Sequence, residues 1–234
     1  MLHPDGPAPR FGSCYFLLYP EVSRRSTFTY LDSHQNPTEK GTYEAFEMIL
    51  AALLKEAYVR EFAVGEPNLT PPQLVERMRR LGEPIPNPAM KKPSRNLNHY
   101  IEAQVHGDIS LKEDVEVLVV DPSFRGTLIG NVLEKISRKY LIDLYWHRGF
   151  RLEVNEVPMD FRGPSMPSLA KRIARHCRID ANLIGSAVRD LKAHPAAWSD
   201  RGSVPEVLQE LKLLWHVLVR YGKPIKGSST NSSP

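Results

Sequence analysis

Over residues 98–106 the side chains alternate in chemistry, with Ile101, Ala103 and Val105 at odd positions and Tyr100, Glu102, Gln104 and His106 at even ones. A period of two predicts a β-strand, because successive strand residues point to opposite faces of a sheet. One face is then expected to be core, and the other to present a carboxylate flanked by hydrogen-bonding groups. Carboxylates are disfavoured in strands, so the whole polar row is more informative than any one member of it. Glu102 and His106 would serve a hydrolase as acid and base if their side chains converge on one pocket. The same row also suits the solvent-facing side of an antiparallel sheet, and the residues leave both readings open.

Other motifs exclude more than they offer. No HExxH, paired CxxC, GxGxxG, Walker-type loop or GxSxG occurs, so zinc hydrolase, Rossmann, nucleotide triphosphatase and α/β-hydrolase chemistry lack support. His99 and His106 are seven positions apart, on opposite faces of the expected strand, which excludes a shared metal site within it. Cys14 and Cys177 lie too far apart in sequence to make a disulfide framework or a metal site by themselves. No metal ligand set is expected. His147 is placed in a turn, and His216 is read as a packed or capping residue of a helix.

The elements that must carry these residues follow from periodicity. Residues 10–19 (RFGSCYFLLY) and 26–31 (STFTYL) read as strands paired with each other. Thr42 is a plausible N-cap for a helix to about Phe62, and Thr70-Pro71-Pro72-Gln73 has capping-box spacing for a second helix that Gly82 stops. Four prolines in residues 83–96 predict a loop, with Lys91, Lys92 and Arg95 on it. The run 115–120 is apolar on both faces and is expected at the centre of a sheet. A helix through Leu128, Ile129, Val132, Leu133 and Ile136 ends near Tyr140. Residues 141–146 and 150–154 look like a hairpin around His147-Arg148-Gly149. From Gly163 the period becomes 3.6 and no strand is expected. Leu169, Ile173 and Cys177 mark one helix, a second begins after Asp180, and a third has Ser203 as N-cap, Glu206 in the capping box and Gly222 as its stop.

Composition sets the class. The chain has 234 residues, 41% apolar and 25% charged, enough to bury one substantial core or two small ones. No run approaches the roughly 20 apolar residues of a bilayer span, and the first residues lack a secretory pattern, so no membrane partner is expected. With 31 basic residues against 27 acidic ones, the net charge of +4 predicts no nucleic-acid binding. The basic groups Arg77-Arg79-Arg80 and Lys171-Arg172-Arg175 read as solvated helix faces. Two unpaired cysteines fit a reducing, cytoplasmic setting, or delivery into another cell by a non-classical route. Oligomeric state is not encoded in any recognisable pattern.

Residues 102–120 (EAQVHGDISLKEDVEVLVV) resemble the catalytic-glutamate strand of ADP-ribosyltransferases. More broadly, the chain resembles a bacterial family of unknown function, numbered 3626 among such domains and related to those transferases and to effectors that ADP-ribosylate ubiquitin. The segments that carry the likeness are Arg10-Phe11-Gly12-Ser13-Cys14, Arg25-Ser26-Thr27-Phe28-Thr29 with Asp32-Ser33-His34, Tyr100 to Gly107, Asp121-Pro122-Ser123-Phe124, Tyr145-Trp146-His147, Phe161-Arg162-Gly163-Pro164 and Leu214-Trp215-His216. The resemblance implies transfer of ADP-ribose from NAD to a protein acceptor. Glu102 would be the catalytic carboxylate, with Arg10, Ser26, Thr27, Phe28, Tyr100 and Gln104 as cofactor-binding residues. It further implies a longer segment before Arg10, of which this chain has at most His3-Pro4-Asp5 as a fragment, so the expectation is a truncated reading frame, a degenerate copy or a variant with a rebuilt cofactor site.

The expected fold is α+β, with a mixed or antiparallel sheet of ADP-ribosyltransferase-like type over residues 1–162, a helical unit over 163–226 and a disordered tail over 227–234. A truncated copy would also suit a non-catalytic protein-interaction module, which is a second expectation beside the enzyme.

Overall fold

The computed structural model describes residues 9–30, 33, 40–60, 62–63, 66–67, 70–79 and 101–225. Strand β1 (Tyr15–Leu18) and strand β2 (Ser26–Tyr30) are separated by a 3-10 helix over Pro20–Arg25. Strand β3 (Gly41–Thr42) leads to helix α1 (Phe46–Arg60), a small pair β4 (Phe62–Ala63) and β5 (Glu66–Pro67), and helix α2 (Pro71–Arg79). Then come β6 (Ile101–Val105), β7 (Val115–Val120), α3 (Leu128–Tyr140), β8 (Asp143–Trp146) and β9 (Arg151–Glu153). The chain continues through α4 (Met166–Ile173), β10 (Arg178–Asp180), α5 (Ala181–Ala193) and α6 (Val204–Tyr221). The architecture is α+β with a mixed sheet. The expected loop over 83–96, Gly82, Asn98 to Tyr100, the arm before Pro9 and the tail from residue 227 lie outside the described residues.

The apolar run of β7 occupies the centre of a sheet ordered β1-β7-β8, as its two-sided hydrophobicity predicts. β1 is antiparallel to it, and β8 is parallel to it after the α3 crossover. A second sheet, ordered β3-β2-β6, is antiparallel throughout. β1 and β2 therefore do not pair with each other. The 3-10 helix between them redirects the chain, and β1 finds a far more apolar partner in β7. Nor do β8 and β9 form a hairpin: β8 stays on β7, whereas β9 pairs with β10. The turn is made at Gly149 (φ +70°), where an added Cβ would stand 2.7 Å from the Pro122 ring.

Beyond Gly163 the expectation of helices alone fails at β10, which is too short to show a period. α4 stops at Ile173, so Cys177 is not part of it. Instead Arg175 and Arg178 exchange backbone hydrogen bonds across a two-residue turn in which His176 and Cys177 both have positive φ. Arg172 of the expected solvated face donates to Asp200 and lies over Trp198, 4.2 Å from the ring centre.

Helix ends follow local chemistry closely. Asp180 caps α5 by accepting from Leu183 N–H at 2.9 Å, and Thr70 N–H donates to Gln73 at 2.9 Å before α2. Thr42 accepts from Ala45 N–H at 3.2 Å, although α1 itself starts only at Phe46. Ser203 and Glu206 form the capping box of α6, with Ser203 N–H donating to Glu206 Oε2 at 2.7 Å. Ser203→Ala is expected to cost about 1 kcal/mol, read as a lower urea midpoint at unchanged slope; an unmoved midpoint would remove the capping box from the account of α6.

Three apolar clusters hold these elements. Phe150, Leu152 and Val157 pack with Met166, Leu169, Leu191, Leu211, Leu214 and Leu218 of the C-terminal helices. A second cluster joins β7 to Phe124, Ile142 and Ala181, and Trp215 packs against both. A third places Ile49, Leu53 and Ala57 of α1 against Leu74 of α2, with Phe28 of β2 alongside.

Candidate functional site

Strand β6 is held by β2 in the register Ser26↔Val105, Thr27↔Gln104, Phe28↔Ala103, Thr29↔Glu102 and Tyr30↔Ile101. Directly opposed residues share a face, so Thr27 and Thr29 stand with Gln104 and Glu102, while Ser26 and Phe28 stand on the other side. Of the expected cofactor residues, Thr27 and Gln104 thus lie beside Glu102. Phe28 packs against the α1 cluster, and buried Ser26 donates its hydroxyl to Val22 O at 2.8 Å. Tyr100 lies outside the described residues. Arg10 is placed against α6: its carbonyl accepts from Trp215 Nε1 at 3.1 Å, and its guanidinium lies 5.0 Å from the Phe11 ring centre.

The expectation that Ile101, Ala103 and Val105 form a core face is overturned. Ile101 and Ala103 are exposed and Val105 is half-buried. α1 reaches only as far as Phe28 on this side, and β6 has no strand partner beyond β2 among the described residues. On the polar face Gln104 and His106 are exposed too, whereas Glu102 is half-buried and Thr29, directly across from it, is 1% exposed.

The Glu102 carboxylate is held at both oxygens by one residue. Ser33 N–H donates to Oε2 at 2.9 Å and the Ser33 hydroxyl donates to Oε1 at 2.7 Å. Gln104 Nε2 donates to Ser33 Oγ at 2.9 Å, tying the row together. Backbone and hydroxyl donors favour the ionised carboxylate. Buried Thr29 Oγ1 has no hydrogen-bond partner among the described residues, an unusual state for a hydroxyl in an interior. His106 does not join Glu102. Its Nε2 pairs with Thr27 Oγ1 at 2.6 Å, and four strand positions span about 13 Å with Gln104 between.

Arg25 fixes the far end of β6, and sequence periodicity does not single it out for this. Its guanidinium donates to His106 O at 2.8 Å, to Asp108 O at 3.0 Å and to Asp114 Oδ2 at 2.8 Å. The Ser110 backbone N–H and then Arg25 lower the Asp114 pKa.

A second polar centre lies where β1, β7 and β8 meet. Asp121 and His147 are 0% and 2% exposed, and Cys14 lies beside Asp121. His147 Nδ1 accepts from Gly149 N–H at 2.9 Å, which leaves Nε2 to carry the proton and donate to Ser13 O at 2.9 Å. Burial raises the pKa of the Cys14 thiol, and burial likewise raises that of the Asp121 carboxyl. A Cys, a His and an Asp are therefore assembled without a base: both ring nitrogens are committed to the backbone and the thiol keeps its proton. This centre pins the ends of three strands.

The described residues thus make an α+β protein with a half-buried, hydrogen-bonded carboxylate on a short antiparallel sheet. The model of the family described as Protein of unknown function (DUF3626) matches residues 1–221, and the chain belongs to that family. No curated protein matches the chain. Among the described residues no helix is long and apolar enough to cross a membrane.

Proposed function

We propose that this protein transfers ADP-ribose from NAD to a protein acceptor, with Glu102 as the catalytic carboxylate. The observation that carries the reading is the Ser33 clamp on both oxygens of Glu102, opposite a buried Thr29 hydroxyl that has no partner among the described residues. A carboxylate oriented in this way suits a reaction that develops positive charge on a sugar. In that reaction the bond between ribose C1 and the nicotinamide nitrogen breaks, and its electron pair leaves with nicotinamide. The acceptor nucleophile bonds to C1 and loses a proton, which Glu102 is placed to receive or orient. Thr27 and Gln104 on the same face support the bound nucleotide, and Ser33 positions the carboxylate.

The test is nicotinamide release from NAD by the purified full chain. Glu102→Gln is expected to lower the rate by roughly 100-fold or more, with an unchanged unfolding midpoint, and Ser33→Ala to lower it less. Equal rates in wild type and Glu102→Gln, or no turnover by a folded wild-type chain, would overturn the catalytic reading in favour of a non-catalytic binding module.

A further inference from the structure

Three segments remote in sequence bring positive charge to one place. Phe161 and Arg162 precede α4, His216 and Arg220 lie one turn apart on the same face of α6, and Arg10 comes from the 3-10 helix over Pro9–Phe11. The Phe161 ring carries two guanidiniums: Arg162 Cζ is 5.0 Å and Arg220 Cζ 4.4 Å from its centre. Tyr221 meets the same ring edge-on at 5.6 Å and also lies 5.6 Å from Arg220 Cζ. Stacking occupies the face of a guanidinium and leaves its N–H donors free in the plane, where a fork-shaped oxyanion contact forms.

Among the described residues no acceptor takes up those donors. Neither Arg162 nor Arg220 has a carboxylate partner among the described residues, and Arg220 Nε is buried with no acceptor. His216 is 5% exposed, and its Nδ1 also lacks a partner. Exposure falls from Arg162 at the surface, through half-buried Arg220, to buried His216, so the cluster is open to solvent at one end. Burial, followed by the charges of Arg10 and Arg220, lowers the Arg162 pKa.

We propose that Arg162, Arg220 and His216 form a binding site for a phosphate-class oxyanion, with Arg10 adding to its positive field. Two guanidiniums against one ring, one of them with a buried Nε that has no partner among the described residues, beside the likewise unpartnered His216 Nδ1, are the arrangement that such an anion completes. The site does not depend on Glu102. Its ligand chemistry is shared by free phosphorylated compounds and by the pyrophosphate of a dinucleotide.

The experiment is calorimetric titration of inorganic pyrophosphate into the full chain in low-salt chloride buffer. Saturable binding is expected, weakened roughly ten- to hundred-fold by Arg162→Met and by Arg220→Met, with an intermediate loss in Arg220→Lys, which keeps the charge and removes the fork. Displacement by NAD would make the dinucleotide the source of the phosphates; pyrophosphate binding that NAD leaves untouched would make it a separate compound. Three results overturn the proposal. One is absence of saturable binding by the wild type, a second is binding unchanged in the two methionine variants, and a third is loss in Arg175→Met instead. The last would move the anion to the cavity of about 230 Å³ lined by Arg151, Arg175 and Arg178. Should a variant fail to fold, the wild type alone decides, because pyrophosphate must raise its melting temperature above that in chloride of equal ionic strength.

Discussion

Phe150→Ala is expected to lower stability by about 3–5 kcal/mol, the range for truncating a buried aromatic residue. Phe150 is 0% exposed and belongs to the cluster of the C-terminal helices. Its ring meets Trp215 of α6 edge-on at 5.8 Å and His147, at the end of β8, at 5.7 Å. Phe150 and Trp215 thus sit where the C-terminal helices meet the β7 sheet, and neither side can collapse into the space without moving the other. Urea unfolding should show a lower midpoint, with a smaller loss for Phe150→Leu. A loss below about 1 kcal/mol would mean that the two clusters relax independently, contrary to the packing through Trp215.

The second large effect is a dependence on pH carried by His216. Burial, and after it the charges of Arg162, Arg10 and Lys212, hold its pKa down to about 4, against 6.5 for the free side chain. The folded protein thus keeps His216 neutral where the unfolded chain protonates it. Between pH 6.5 and about 4 the unfolded state binds more protons, so stability falls as the pH falls through this window, by about 3 kcal/mol in all. Above pH 6.5 the histidine contributes no slope. Asp121 and Asp180 have raised pKa values from burial and act in the opposite direction, losing their contribution as pH rises through their folded values. The difference between wild type and His216→Gln, measured in phosphate-free buffer, isolates the histidine. Parallel stability curves from pH 7 to pH 4 would show that His216 titrates normally in the fold.

The parts of the fold legible in the sequence are those decided within a few residues. Ser203 with Glu206, Asp180 with Leu183 and Thr70 with Gln73 each complete a helix start with a backbone N–H and a side-chain oxygen three positions apart, so the chain itself holds both partners. The 115–120 run declares its central place because both of its faces are apolar. Strand pairing was less legible. β1 could dock on any apolar edge, and its choice of β7 over β2 rests on contacts made some hundred residues away.

The candidate site shows the same division. That Glu102, Gln104 and His106 share a side follows from the pleat alone. How far each side of β6 is covered does not, and Ile101 and Ala103 stay exposed although theirs is the apolar side. Ser33 gave no periodic signal, being three residues beyond the end of β2 at Tyr30, yet it holds both oxygens of the carboxylate. Arg25, Asp121 and His147 were likewise plain polar residues until the strands brought them together.

By itself, then, the sequence determined an α+β chain, its main helices and their caps, the central strand and the polar row that carries Glu102. Only the tertiary structure decided which strands pair, which face is covered and which side chains meet at Glu102, at His147 and around Phe161. The physical reason is range: capping and alternation are set by backbone geometry over a few residues, whereas pairing and burial are collective choices among distant surfaces of similar hydrophobicity.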